Sequence, residues 1–151
     1  MIKEIQLPLK LANQLLHLAQ ISPEHEICGL ISAKNGLAKH CYPIDNVAEP
    51  PTHQFLLDAH QQITALTQMR KKGEALFAIY HSHPTAPAQP SKDDIRLSTY
   101  PDALNIIISL NTKGILEMHC FKFELESAIE IPLALVNMSN FILSLLFRVH
   151  C

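Results

Sequence analysis

Residues 75–98 read ALFAIYHSHPTAPAQPSKDDIRLS, and the rest of the chain is organised around this stretch. In an extended strand side chains alternate faces, so His81 and His83 point one way and Ser82 the other. Phe77, Ala78, Ile79 and Tyr80 lead into the pair without a charged residue, which suits a central strand buried on both faces. Pro84, Pro87 and Pro90 then forbid strand and helix interior alike, so the chain must turn away as a loop. Ser91-Lys92-Asp93-Asp94 has the form of a helix start, with Ser91 at the N-cap and Asp94 at the third helical position. The expected product is two imidazoles at a strand end, with a carboxylate folded back towards them. Two nitrogens and one oxygen leave one tetrahedral position open, which is how catalytic zinc sites are built.

Taken singly, an H-x-H pair, a capping pair and a proline loop each have a purely structural reading. Their order within the fourteen residues from His81 to Asp94 is far more specific. The run His81-Ser82-His83-Pro84, six residues, Ser91, two residues, Asp94 resembles the signature of the JAMM (MPN-plus) metallopeptidases. Upstream, Pro23-Glu24-His25-Glu26-Ile27-Cys28-Gly29-Leu30-Ile31 is similar to the family segment whose glutamate lies two residues before a Cys-Gly pair, and that position is Glu26. The likeness covers residues 1–132, leaving 133–151 as an apolar tail.

The resemblance implies an α+β domain of the MPN type, similar to the cytidine deaminase architecture, with a curved mixed sheet flanked by helices. It implies one zinc ion held by His81, His83 and Asp94, Asp94 being selected over Asp93 by the family spacing. It assigns Glu26 as general base and later general acid, and gives Ser91 a share in stabilising the oxyanion. From the residues alone Ser91 is equally a helix cap, and Glu26 reads first as a solvated carboxylate at a strand end. The implied reaction is hydrolysis after the C-terminal Gly-Gly tail of a ubiquitin-like or sulfur-carrier protein. The short connections around the motif resemble the small stand-alone prokaryotic members. The alternative is a non-catalytic MPN interaction module, disfavoured because every ligand position and the glutamate are present. A zinc deaminase would need H-x-E and P-C-x-x-C, which are absent.

The 151 residues suffice for one domain with a real core. With 48% hydrophobic and 17% charged residues, a globular protein is expected. The formal charge is −2 and no basic run exceeds Arg70-Lys71-Lys72, so no nucleic-acid partner is expected. Cys28, Cys41, Cys120 and Cys151 form no C-x-x-C, and their spacing suggests neither a zinc ribbon nor a disulfide framework. With no signal-peptide pattern at the N-terminus, a cytoplasmic location is expected.

Along the chain, strands are expected over 2–7, 26–33 and 37–44, the last two joined by the hairpin signal Asn35-Gly36. A helix with Leu11, Leu15 and Ala19 on its apolar face should follow Pro8, and a second should run from Phe55 to Lys72. Beyond the proline loop, strands are expected over 103–110, 115–123 and 128–132. Leu133 to Val149 reads as an amphipathic helix rather than a membrane span, since Asn137, Ser139, Asn140 and Ser144 interrupt it. An exposed Phe141-Ile142-Leu145-Leu146-Phe147 patch there would favour self-association as a homodimer.

Overall fold

The computed structural model describes residues 4–111 and 117–137. The order is β1 (Ile5–Pro8), α1 (Leu9–Gln20), β2 (Cys28–Lys34), β3 (Leu37–Ile44), α2 (Ala59–Lys71), β4 (Ala75–His83), α3 (Lys92–Arg96), β5 (Leu104–Ser109), β6 (Glu117–Phe123), β7 (Ala128–Ile131) and β8 (Leu133–Val136). Six strands form one mixed sheet in the order β3-β2-β4-β5-β6-β7, and β1 pairs with β8 in a separate parallel ribbon. The architecture is the expected α+β class.

Local chemistry explains most boundaries. Asn35 and Gly36 both take positive φ, 53° and 79°, as a tight two-residue hairpin between β2 and β3 requires. Asp58 caps α2 by accepting the Gln61 N–H at 2.9 Å. The expected helix start at Phe55 is therefore too early: residues before Asp58 stay irregular, with Leu57 bridging to Asn46. β2 begins at Cys28, not Glu26. Its register with both neighbours shifts near Ser32, a bulge of the kind that bends a sheet.

The sheet is covered on both faces. On one, α1 buries Leu11, Ala12, Leu15 and Ala19 against Ile31, Ala78, Tyr80, Ile106 and Ile108. On the other, α2 packs Ala65 and Met69 onto Cys28, Leu30 and Ile79. Each fully buried aliphatic side chain contributes roughly 1.5–3 kcal/mol. β4, in the middle, is buried from Ala78 to His83, as a strand covered on both faces must be. Cys28 and Cys120 are buried as small hydrophobes, and burial pushes both thiols up to about 12.

The tail departs from its expectation. Leu133–Val136 is a strand, paired in parallel register with β1 from Ile5↔Leu133 to Pro8↔Val136. A helix therefore cannot begin at Leu133. Residues 138–151, including the Phe141–Phe147 patch, lie outside the described residues. Among the described residues no helix is long and apolar enough to cross a membrane.

Gly29 lies opposite Tyr80 across the β2–β4 pair. With no side chain at 29, the Tyr80 ring crosses β2 and its hydroxyl accepts the Cys41 S–H at 3.2 Å. A Cβ at Gly29 would sit 2.3 Å from Tyr80 Oη and 2.5 Å from the Tyr42 carbonyl oxygen. The carbonyl belongs to a paired strand and cannot yield. Gly29→Ala is therefore expected to destabilise the fold by about 1–3 kcal/mol or more, read as a lower urea midpoint. An unchanged midpoint would mean that Tyr80 is not locked across β2.

Candidate metal centre

The site is built where β4 ends. His81 pairs with Cys28 on one side and Ile107 on the other, so its ring is fixed in the middle of the sheet. It is fully buried and stacks on Phe55, centroids 4.4 Å apart and planes at 22°. Among the described residues its Nδ1 has no hydrogen-bond partner. Burial, outweighing the pull of Asp94, lowers its pKa and favours the neutral ring. His83 Nδ1 donates to the Pro87 carbonyl at 2.8 Å. A carbonyl only accepts, so in the neutral ring the proton sits on Nδ1 and the Nε2 lone pair is free. The proline loop thus orients the second imidazole.

The carboxylate arrives as expected. Ser91 Oγ accepts the Asp94 N–H at 3.0 Å, and Asp94 Oδ2 accepts the Ser91 N–H at 2.8 Å, a complete capping box. The same Oδ2 lies 3.2 Å from His81 Nε2 and 3.3 Å from His83 Nε2. The two Nε2 atoms are 3.1 Å apart. Burial opposes ionisation of Asp94, but its bonds to both imidazoles and to Ser91 N–H prevail and hold it well below the usual carboxylate range.

Three donor atoms therefore form a near-equilateral triangle. A tetrahedral zinc with bonds of about 2.0–2.1 Å has ligand–ligand edges of about 3.3 Å. Burial opposes a charged His83, but Asp94 and the Pro87 carbonyl prevail and raise its pKa; a cation would take the place of that proton between the two Nε2 atoms and Oδ2. Geometry and donor chemistry both fit zinc.

Glu26 stands beside the triangle. One of its carboxylate oxygens lies within 4.8 Å of a nitrogen of each ring, His81 and His83. The residue is 4% exposed and its Oε1 has no partner among the described residues. Burial raises its pKa from 4.5 to about 8, with His83 opposing and Asp94 reinforcing. It belongs to no strand. Its N–H donates to the Pro51 carbonyl at 2.9 Å, and its carbonyl accepts from Asn46 Nδ2 at 3.0 Å. All five residues singled out in the sequence thus lie in one site, Ser91 at its exposed rim. Sequence reasoning missed Asn46, Phe55 and Ser82, whose Oγ accepts the Ile27 N–H at 2.9 Å. Only an asparagine just after a strand end hinted at the first of them.

A groove of ≈ 590 Å³ runs to Asp94, walled by Phe55, Leu57, Ile79, Leu97 and Tyr100.

The profile for prokaryotic homologs of the JAB domain matches residues 8–121. The chain belongs to this prokaryotic JAB family. The likeness to the JAMM (MPN-plus) family read from the motifs is thereby borne out. The chain is similar to the CysO-cysteine peptidase of Mycobacterium tuberculosis, 27% identical over 129 residues that cover 84% of this chain and 88% of the relative. It is 30% identical over 91 residues to the desampylase of Haloferax volcanii, covering 58% of this chain and 64% of that one. A probable TtuB-protein conjugate cleaving protease of Thermus thermophilus is 35% identical over 80 residues, 53% of each chain. The solution structure of a protein from Desulfitobacterium hafniense matches with TM-score 0.79 and 29% identity, over 88% of this chain and 93% of that one. A JAB1/MPN domain protein from Archaeoglobus fulgidus shares the fold at TM-score 0.58 and 18% identity, over 86% and 99%. The MPN fold is thus the fold of this JAB domain.

The raised pKa of Glu26 has a sign. Between 4.5 and about 8 the unfolded chain releases a proton that the folded, metal-free protein keeps, so this contribution is full below 4.5 and is lost as pH rises towards 8. Glu26→Gln removes it. In chelator-treated protein the variant should be more stable than the parent at about pH 8.5, and the gain should vanish near about pH 5. Urea melts at both values check this, and a pH-independent difference would refute it.

Proposed function

We propose that the protein is a zinc-dependent peptidase that hydrolyses the bond after the C-terminal Gly-Gly of a ubiquitin-like or sulfur-carrier protein. The observation that carries this reading is the His81–His83–Asp94 triangle with a buried, protonatable Glu26 next to it. The relatives support it: their names describe a CysO-cysteine peptidase, a desampylase and a probable TtuB-conjugate protease.

His81 Nε2, His83 Nε2 and Asp94 Oδ2 would hold the ion. When bound, zinc supplies Lewis acidity, polarising a carbonyl and making a water acidic near neutral pH. Glu26 takes the proton of the attacking water and hands it to the departing amine. Its raised pKa suits it to hold that proton between the two events. The Ser91 hydroxyl accepts from Asp94 N–H, which leaves its own proton to donate to the oxyanion of the attacked carbonyl. The groove excludes water from one side, and a Gly-Gly tail, lacking side chains, can lie between Phe55 and Leu97. A carrier whose terminal glycine bears a cysteine is the preferred substrate. The reading sets the protein in the cytoplasm, in keeping with the free thiols of Cys28, Cys41 and Cys120.

The test is incubation of the zinc-loaded protein with a Gly-Gly-tailed carrier adduct, read by mass spectrometry. The adduct should be lost. Glu26→Gln should retain zinc and fall about 10²–10⁴-fold in rate, whereas His81→Ala and Asp94→Ala should lose the metal. Parental rates in Glu26→Gln would remove the proposed base.

A further inference from the structure

Glu26 carries its proposed role from a segment with no regular ladder, between α1 and the first residue of β2. Its Oε1 has no partner among the described residues, so the backbone must do most of the placing. That backbone is held on both sides by one structure, the strap of residues 46–57. Pro51 accepts the Glu26 N–H, and Asn46 donates to the Glu26 carbonyl.

Asn46 also closes the strap. Its Nδ2 donates to the Gln54 carbonyl at 3.0 Å, and its Oδ1 accepts from Ala48 N–H at 3.0 Å and Leu56 N–H at 2.9 Å. An amide has two donors and two lone pairs, and all four are used. Both Nδ2 partners are carbonyls and both Oδ1 partners are N–H groups, so the amide has one satisfactory orientation. The strap so closed carries Phe55, which stacks on His81. None of the bonds described for His83 or Asp94 passes through it.

We infer that Asn46 is a positioning residue for Glu26: one Nδ2 bond anchors the backbone of the base, while the other, to Gln54, and the two Oδ1 bonds close the strap. This rests on the reading of Glu26 as the base. Asn46→Asp keeps the acceptor towards Ala48 and Leu56, which still closes the strap, and removes both donor bonds, to Glu26 and to Gln54. Gln61→Ala is the control. Gln61 grips Asp45, the preceding residue, through Oε1 at 2.7 Å and Nε2 at 2.9 Å, and does not touch Glu26.

The readouts are kcat and KM on the carrier adduct, zinc affinity by chelator competition, and amide hydrogen exchange. Asn46→Asp should lower kcat about 10- to 100-fold, the scale of a misplaced reacting group, with KM and zinc affinity within about threefold of the parent. It should also speed exchange of the Glu26 amide at least about tenfold through local opening, leaving Ile79 and His81 protected. Gln61→Ala should leave all of these within about twofold. Should Asn46→Asp fail to fold, Asn46→Ser is read by the same criteria. Parental kcat in the folded variant, zinc affinity falling in step with kcat, or the same losses in Gln61→Ala would overturn the inference. Exchange needs no substrate: a parental Glu26 amide rate sinks the inference even if the carrier is cleaved. A parent that cleaves no adduct counts instead against the proposed function.

Discussion

A single oxygen atom, Asp94 Oδ2, accepts the Ser91 N–H that starts α3 and faces both imidazole Nε2 atoms at the end of β4. Helix capping and the triangle of candidate ligand atoms are thus one arrangement. A capping box is a local motif, formed by residues three apart, and needs no tertiary contact to choose its geometry. The proline loop has only to bring the preformed cap to the strand end. It is tied there by His83 Nδ1 on Pro87, by Ser109 Oγ on Ala86 at 2.7 Å and by Ala88 N–H on Glu117 at 3.1 Å. The buried Ala88 methyl packs on Ile107 and Phe121 and completes the seat.

The two carboxylates of the site are held in opposite states by what surrounds them. Both are desolvated, which by itself disfavours charge. Asp94 has two imidazoles and a backbone N–H to offset that, so it stays ionised. Glu26 has an Oε1 with no described partner, and burial dominates. One group keeps the lone pair a cation needs, and the other can keep a proton at neutral pH. Pairs of acids driven apart in this way mark out an acid–base role. Under the proposed function the contrast suits Asp94 to the metal and Glu26 to the proton.

What could be read from the chain followed the range of the interactions. The capping box, the Asn35-Gly36 hairpin and the H-x-H face are set by neighbours a few residues apart, and each was legible. From sequence Phe55 reads as helical because Phe55, Leu56 and Leu57 look like a continuation of the Ile63 and Leu66 pattern. Only the Asp58 cap, and the pull of Asn46 on Gln54 and Leu56, shows that the helix starts later. The β8 strand was hidden for a similar reason. Leu133-Ala134-Leu135-Val136 has no alternation of its own and becomes a strand by pairing with β1, some 128 positions earlier in the chain. Glu26 is identified through the resemblance alone, since a carboxylate at a strand end looks solvated until the strap covering it is known.

The spacing between Glu26 and the two imidazoles has a structural origin in Ser82. With Cys28 opposite His81, a regular continuation of β2 would put Ile27 opposite Ser82 and Glu26 opposite His83. Directly opposed residues have Cβ atoms about 4.5–5.5 Å apart, near enough for the side chains to touch. The ladder stops one step short. Ser82 N–H still donates to the Ile27 carbonyl at 3.0 Å, but the Ile27 N–H turns to the Ser82 hydroxyl instead of a backbone carbonyl. The side chain on the far face of β4 thereby takes one rung of the ladder, and the Glu26 segment leaves the sheet while still tethered to it. The strap on the other side then sets how far it leaves. In the proposed reaction a base that must reach a water, and not bind the ion itself, needs such a position: close to His81 and His83, and held by backbone contacts outside the sheet.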